Sequence, residues 1–357
     1  MAEITGSFLG ANTPLGFVSF FDELYNPYEK SRAVIIKGGP GTGKSTLMKA
    51  FLRKAEEKGY SAECIYCASD PKSLDGVIIP QLSLSIADGT SPHTLEPKFP
   101  GACETIINTG EFWNREQLFS SGEEIRSLTL ENSLHHRRSS TYLSAAGKLL
   151  SENRSILWDY VNTDKIWSYA LRFVNRELPK ISSVPGRKKR RFISAITPDG
   201  RVFLSDTVKK QAYRIIGVED EYGAVSSRLI DCVGELAVKN GYDVFFCHCP
   251  MSPKGECEHI IIPKAGLALI SCRKGHNTEL EADRVIHVRR FLSDDISRHK
   301  KRLIFNRKLQ NELIEESITC LKKAREVHDN LEKIYMNAMD FSALSQLAQK
   351  MADDFVG

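Results

Sequence analysis

"IIKGGPGTGKSTLMKAF", residues 35–51, decides how the rest of the chain is read. Upstream of the glycines, "RAVIIK" (32–37) is a short β-branched apolar run of the kind that fills a buried parallel strand. Gly38 to Ser45 then fits G-x-x-x-x-G-K-[ST] at every constrained position. Beyond it Leu47, Met48, Phe51, Leu52 and Ala55 recur three and four residues apart until Gly59, which predicts an amphipathic helix that stops there.

Strand, glycine loop and helix together make a phosphate cradle. Without Cβ atoms the loop can curl until the amide N–H groups of about Gly41 to Thr46 point inward at an anion, and the helix start adds partial positive charge. The expected nucleotide contacts are Gly38, Gly39, Pro40, Gly41, Thr42, Gly43, Lys44, Ser45 and Thr46. Lys44 would stabilise charge on the β- and γ-phosphates, and the Ser45 hydroxyl would ligate Mg²⁺. "QLSLSIADGT" (81–90) supplies a strand ending in Asp88, expected to hold the metal with Ser45 and to act with Lys44 in catalysis. The competing reading is that Asp88 only opens an Asp-Gly turn. Asp70 and Asp75 in "ASDPKSLD" fall at the strand edge where open α/β sheets bind ligands, as metal helpers or as turn caps.

The same pattern returns. "GANTPLGFVSFFD", ending at Asp22, is answered by "SAITPDGRVFLSD", ending at Asp206. Gly59, Tyr60, Cys67, Pro71 and Pro80 find Gly241, Tyr242, Cys249, Pro253 and Pro263 in register, and His93 has His276. Regions 114–178 and 294–355 are both rich in helix formers and poor in glycine. We read a tandem duplication of about 180 residues per copy. The expected fold is α/β: a P-loop NTPase-like parallel sheet, duplicated, each copy followed by a helical segment. Residues 1–184 form the first unit, 185–191 a basic linker and 192–357 the second unit.

In the second copy the cradle position reads Gly217-Val218-Glu219-Asp220-Glu221-Tyr222-Gly223, with no lysine and three carboxylates where phosphates would lie. Such charge repels a nucleotide. The counterpart of Asp88 is about Ser271. The second copy is therefore expected to be nucleotide-dead and to pack on the first within one chain. It would offer the nucleotide a basic residue such as Arg273, Arg289 or Arg290, or else keep these as surface arginines.

"PGRKKRRF" (185–192) reads as a solvated linker, with a phosphate or nucleic-acid contact through Lys188, Lys189, Arg190 and Arg191 as the sharper alternative. Cys247, Cys249, Cys257 and His259 have the chemistry of a Cys₃His zinc site, but Cys247 falls on a strand position, which favours a core reading. Residues 303–336 are amphipathic enough for a protein partner, or for packing within the chain.

Bulk properties narrow the class. The 357 residues are 41% hydrophobic and 26% charged, as in globular proteins, and the net charge of +4 is too small for a general nucleic-acid coat. The first twenty residues lack a secretory pattern and no long apolar run occurs, so the expectation is a cytoplasmic protein with no membrane span and nine reduced cysteines.

"GGPGTGKST", "DPKSLDGVIIP", "DGTSPH" and the repeated "TP-x-G" entry resemble a bacterial, largely Firmicute, family of tandem-duplicated P-loop ATP-binding proteins, grouped as ATPases or nucleotide kinases without an assigned reaction. The resemblance covers nearly the whole chain and implies ATP with Mg²⁺ as the ligand of Gly38 to Thr46. Members often carry a GKST-type loop in the second half as well; this chain departs from that pattern. The expected function is slow ATP hydrolysis or phosphoryl transfer in the first copy, the acceptor open between water and a small molecule. The alternatives are a nucleotide-gated interaction module without turnover and a nucleic-acid-stimulated ATPase.

Overall fold

The computed structural model describes residues 2–272, 280–293 and 296–357; Arg273 and His276 lie outside them. Elements alternate as β1 (Ile4–Ser7), β2 (Gly10–Thr13), β3 (Gly16–Ser19), β4 (Arg32–Lys37), α1 (Lys44–Glu57), β5 (Ala62–Tyr66), β6 (Leu74–Ile79), β7 (Leu84–Asp88), β8 (Glu104–Asn108), α2 (Arg115–Ser120), α3 (Gly122–Trp158) and α4 (Thr163–Glu177). They continue as β9 (Lys188–Arg191), β10 (Ser194–Thr197), β11 (Gly200–Phe203), α5 (Ser205–Gln211), β12 (Arg214–Glu219), α6 (Ala224–Lys239), β13 (Val244–Cys249), β14 (Ser252–Ile262), β15 (Leu267–Cys272), β16 (Arg284–His287), α7 (Lys300–Asn337) and α8 (Phe341–Val356).

Two six-stranded sheets result, in the orders β1-β5-β6-β7-β4-β8 and, read from the other end, β9-β13-β14-β15-β12-β16. In both, the third strand runs antiparallel to its neighbours and the other pairings are parallel. The apolar run predicted as a buried strand is β4, held in parallel between β7 and β8 with Ala33 to Ile36 buried.

Helix α3 lies along α7. Asn132 donates to Ala324 O, Ser139 meets Ser317 and Asn153 donates to Leu303 O, so partner numbers fall as α3 advances and the helices are antiparallel. The apolar stripe of residues 303–336 is thus spent on a helix of the first half, where Leu303, Ile314, Ile318 and Leu321 are buried.

The two short helices cross over. Helix α4 places Ile166, Ala170, Phe173 and Val174 in the core of the second sheet with Leu229 and Val233 of α6. In return α8 places Leu344, Ala348, Ala352 and Val356 in the core of the first sheet with Leu47, Met48 and Phe51 of α1. Spacings of three and four make each a one-faced helix. Burying Leu344 and Val356 alone contributes about 3–6 kcal/mol on the water-to-apolar transfer scale. Short bridges, Trp113 with Met339 and Val161 with Leu292, fix the two crossings.

At the seam, Phe8 and Phe192 exchange both backbone hydrogen bonds (2.8 and 2.9 Å) and are fully buried. The basic stretch is not a solvated linker: Lys188–Arg191 is an edge strand paired with β13. A carboxylate meets each of its charges, Lys188 with Glu235, Lys189 with Asp243, Arg190 with Asp22 and Glu23, and Arg191 with Glu63, while Lys188 stays half exposed. Arg191 is buried and its fork meets Glu63 at 2.6 and 2.9 Å. Burial pushes the Glu63 carboxyl up, but the Arg191 guanidinium outweighs it and holds the group below the usual glutamate range. Among the described residues no helix is long and apolar enough to cross a membrane.

Candidate functional site

The end of β4 turns through Gly38 to Gly43 into α1, whose first turn carries Lys44, Ser45 and Thr46. Gly41 (φ 67°) and Gly43 (φ 79°) adopt the left-handed conformation that side chains avoid, which lets the chain curl before the helix starts. Thr42 donates to Gly39 O at 2.8 Å, and the buried Thr109 hydroxyl lies 2.9 Å from that of Thr42 and 3.1 Å from Lys37 O, bracing the loop from β8's end.

Lys44 Nζ donates to Gly38 O (3.0 Å) and Gly39 O (2.7 Å) and lies 3.5 Å from Asp88 Oδ2. Asp88 Oδ1 accepts from Thr90 N and Oγ1, closing the turn foreseen for it, while Oδ2 faces Lys44. Ser45 Oγ accepts from Leu74 N at 3.1 Å. Asp70 is further out, paired with Arg325 of α7 at 2.9 Å. Asp75 is buried, with Oδ2 3.1 Å from His93 Nε2; burial disfavours a charged imidazole, but Asp75 outweighs it and raises the His93 pKa above its ordinary value.

One feature of the loop is supplied from far along the chain. Gly41 N donates to Glu332 Oε1 of α7 at 3.2 Å. A Cβ on Gly39 would sit 2.8 Å from the Tyr335 ring, and one on Gly41 2.8 Å from Glu332 O, so the last turns of α7 lie directly on the glycines. Phe341 and Leu344 of α8 approach Gly43. Nothing in the local sequence pointed to Glu332 or Tyr335, because the fold, not the sequence interval, brings them to the loop.

The corresponding loop between β12 and α6 keeps the shape, with Gly223 at φ 73°, and is filled by its own side chain. Asp220, buried, accepts from Tyr222 N (3.2 Å), Val225 N (2.8 Å) and Ser226 N (2.8 Å). Glu219 pairs with His287, and Glu221 with Arg307 near the start of α7. Arg290 stacks over Tyr169 of α4 (5.4 Å) and lines a cleft of about 400 Å³ with Lys165 and Arg172. It and its neighbour Arg289 belong to the turn after β16 in the second sheet, beside the exchanged α4.

The four zinc candidates do not converge. Cys247, Cys249 and Cys257 enter three different apolar clusters, and His259 Nδ1 accepts from Ser271 N at 3.0 Å. Among the described residues no three of these four bring ligand atoms within reach of one another, and the three cysteines are buried, so the core reading holds.

Residues 18–86 match the family model described as novel STAND NTPase 3. That stretch is similar to a STAND-type NTPase. The matched stretch contains β4, the glycine loop, α1 and the strands through most of β7, and its likeness is to a nucleotide-binding region of the NTPase kind. No curated protein and no solved structure matches the chain.

Proposed function

We propose that the chain binds Mg-ATP in the loop Gly38–Thr46 and either hydrolyses it slowly or moves its γ-phosphate to an acceptor. In this reading residues 1–184 are the nucleotide unit, and residues 192–357 a duplicated P-loop unit that no longer binds nucleotide. The observation that carries it is the bond from Gly41 N–H to the Glu332 carboxylate: the loop already presents a backbone amide to an anionic oxygen. Nucleotide binding then replaces one anion by another, and Lys44 exchanges the carbonyls of Gly38 and Gly39 for phosphate oxygens.

The donors fit a hard cation, since the Ser45 hydroxyl and the Asp88 carboxylate are oxygens at neighbouring strand and helix ends. Mg²⁺ held there with phosphate oxygens would neutralise charge developing on the transferred group. The chain's own part is positioning: loop amides and Lys44 hold the phosphates in place.

A switch without turnover is the second reading, favoured by Gly89 in place of a carboxylate after Asp88 and by α7 lying on the loop. Phosphate release from Mg-ATP by the full chain, compared with Lys44→Ala, separates the two. Turnover lost in the variant supports the enzyme; Lys44-dependent binding without turnover supports the switch; neither binding nor turnover that depends on Lys44 overturns both.

A further inference from the structure

Beside the glycine loop, three elements bring unlike donors together: Cys67 just after β5, Asp75 at the start of β6 and His93 in the loop after β7. One ligand atom from each lies within 4.8 Å of the others. Asp75 and His93 are 5% and 6% exposed. Despite the 3.1 Å approach of His93 Nε2 to Asp75 Oδ2, that oxygen has no hydrogen bond of sound geometry among the described residues, and neither has His93 Nδ1. Buried polar atoms left this way cost stability unless something else satisfies them.

The surroundings hold the three donors in place. The His93 ring stacks on Phe21 (4.6 Å between centroids) and meets Phe17 edge-on (5.1 Å). Its loop is pinned by Lys37 Nζ, which donates to Gly89 O, Leu95 O and Glu96 Oε1. Leu74, next to Asp75, donates its N–H to Ser45 and ties the strand start to the loop helix. A thiolate, a carboxylate and an imidazole are the S, O and N donors that suit a borderline-soft ion, and three protein ligands leave a fourth position open.

We propose that Cys67, Asp75 and His93 form a binding site for a divalent transition-metal ion, Zn²⁺ by donor type, separate from the Mg²⁺ expected at Ser45 and Asp88. On binding, the Cys67 thiol passes its proton to solvent and sulfur, carboxylate oxygen and imidazole nitrogen bond the ion; no electron is transferred. The inference does not rest on nucleotide binding.

The test uses the full chain, stripped with chelator and titrated with Zn²⁺ and with Co²⁺ in the absence of nucleotide. Expected are one equivalent of bound metal, a thiolate-to-cobalt charge-transfer band, and protection of Cys67 from alkylation by Zn²⁺, located by mass spectrometry among the nine cysteines. These readings need no variant. Cys67→Ser and His93→Gln should weaken Co²⁺ binding by roughly a hundredfold or more. His328→Gln, in the other metal-capable group of the described residues (His328, Asp329 and Glu332), should leave it unchanged. Substoichiometric metal, a cobalt spectrum without the sulfur band, Cys67 alkylated equally with and without Zn²⁺, or loss on His328→Gln with Cys67→Ser unaffected would overturn the proposal.

Discussion

The loops at 38–45 and 217–227 share a strand before, a helix after and a left-handed glycine at the helix start, yet they differ in where the anion comes from. In the second, Asp220 belongs to the loop, is 4% exposed and takes three backbone N–H groups. In the first, Glu332 belongs to a helix from the other half, its side chain is 37% exposed, and it takes one. A built-in anion makes the second loop a self-satisfied helix cap. A borrowed one, on a partly exposed side chain of a distant helix, is in the proposed reading the anion that a nucleotide displaces. The contrast teaches that two loops of one shape can differ in whose anion takes their amides, the loop's own side chain or one from a distant helix.

The comparison assumes that the halves form one body, and the largest predicted effect concerns their seam. Glu63→Gln leaves Arg191 buried without its partner and should cost about 3–5 kcal/mol of stability in chemical denaturation at pH 7. Because the folded-state pKa of Glu63 is lowered, its contribution is present above the ordinary glutamate pKa of about 4.3 and is lost as pH falls through the lower folded value. The difference between wild type and variant should therefore hold from neutral pH to mild acid and shrink only below that.

Next, the two anions can be removed one at a time. Asp220→Ala strands buried amides and should cost about 2–4 kcal/mol, whereas Glu332→Ala, at a half-exposed contact, should cost under about 0.5 kcal/mol. Equal costs would erase the distinction between built-in and borrowed anion. A smaller effect sharpens it: Glu332→Ala should tighten Mg-ATP by roughly tenfold, about 1.4 kcal/mol, in a fluorescence or calorimetric titration, while Asp220→Ala should create no second nucleotide site.

Local patterns were readable in advance and long-range ones were not. Glycine spacing and the period of Leu47, Met48 and Phe51 announce β4, the loop and α1, because neighbours in sequence build them. The carboxylates and the missing lysine at 217–223 were legible, but not that Asp220 fills the loop, since that depends on the folded path of six residues. The exchange of α4 and α8 left no local mark: a one-faced helix states that it needs an apolar partner, not which sheet provides it. Lys188 to Arg191 read as a solvated run because Glu235, Asp243, Asp22, Glu23 and Glu63 all lie far away in sequence. Asp75 was legible as a metal helper, but not its meeting with Cys67 and His93, because the three sit on separate elements.

The central claim, one exchangeable anion site per chain built around Lys44, is met most directly by a calorimetric titration of Mg-ATP into the wild-type chain and Lys44→Ala. The account predicts one nucleotide per wild-type chain and loss of that binding in the variant; two nucleotides per chain, or binding indifferent to Lys44, would contradict it.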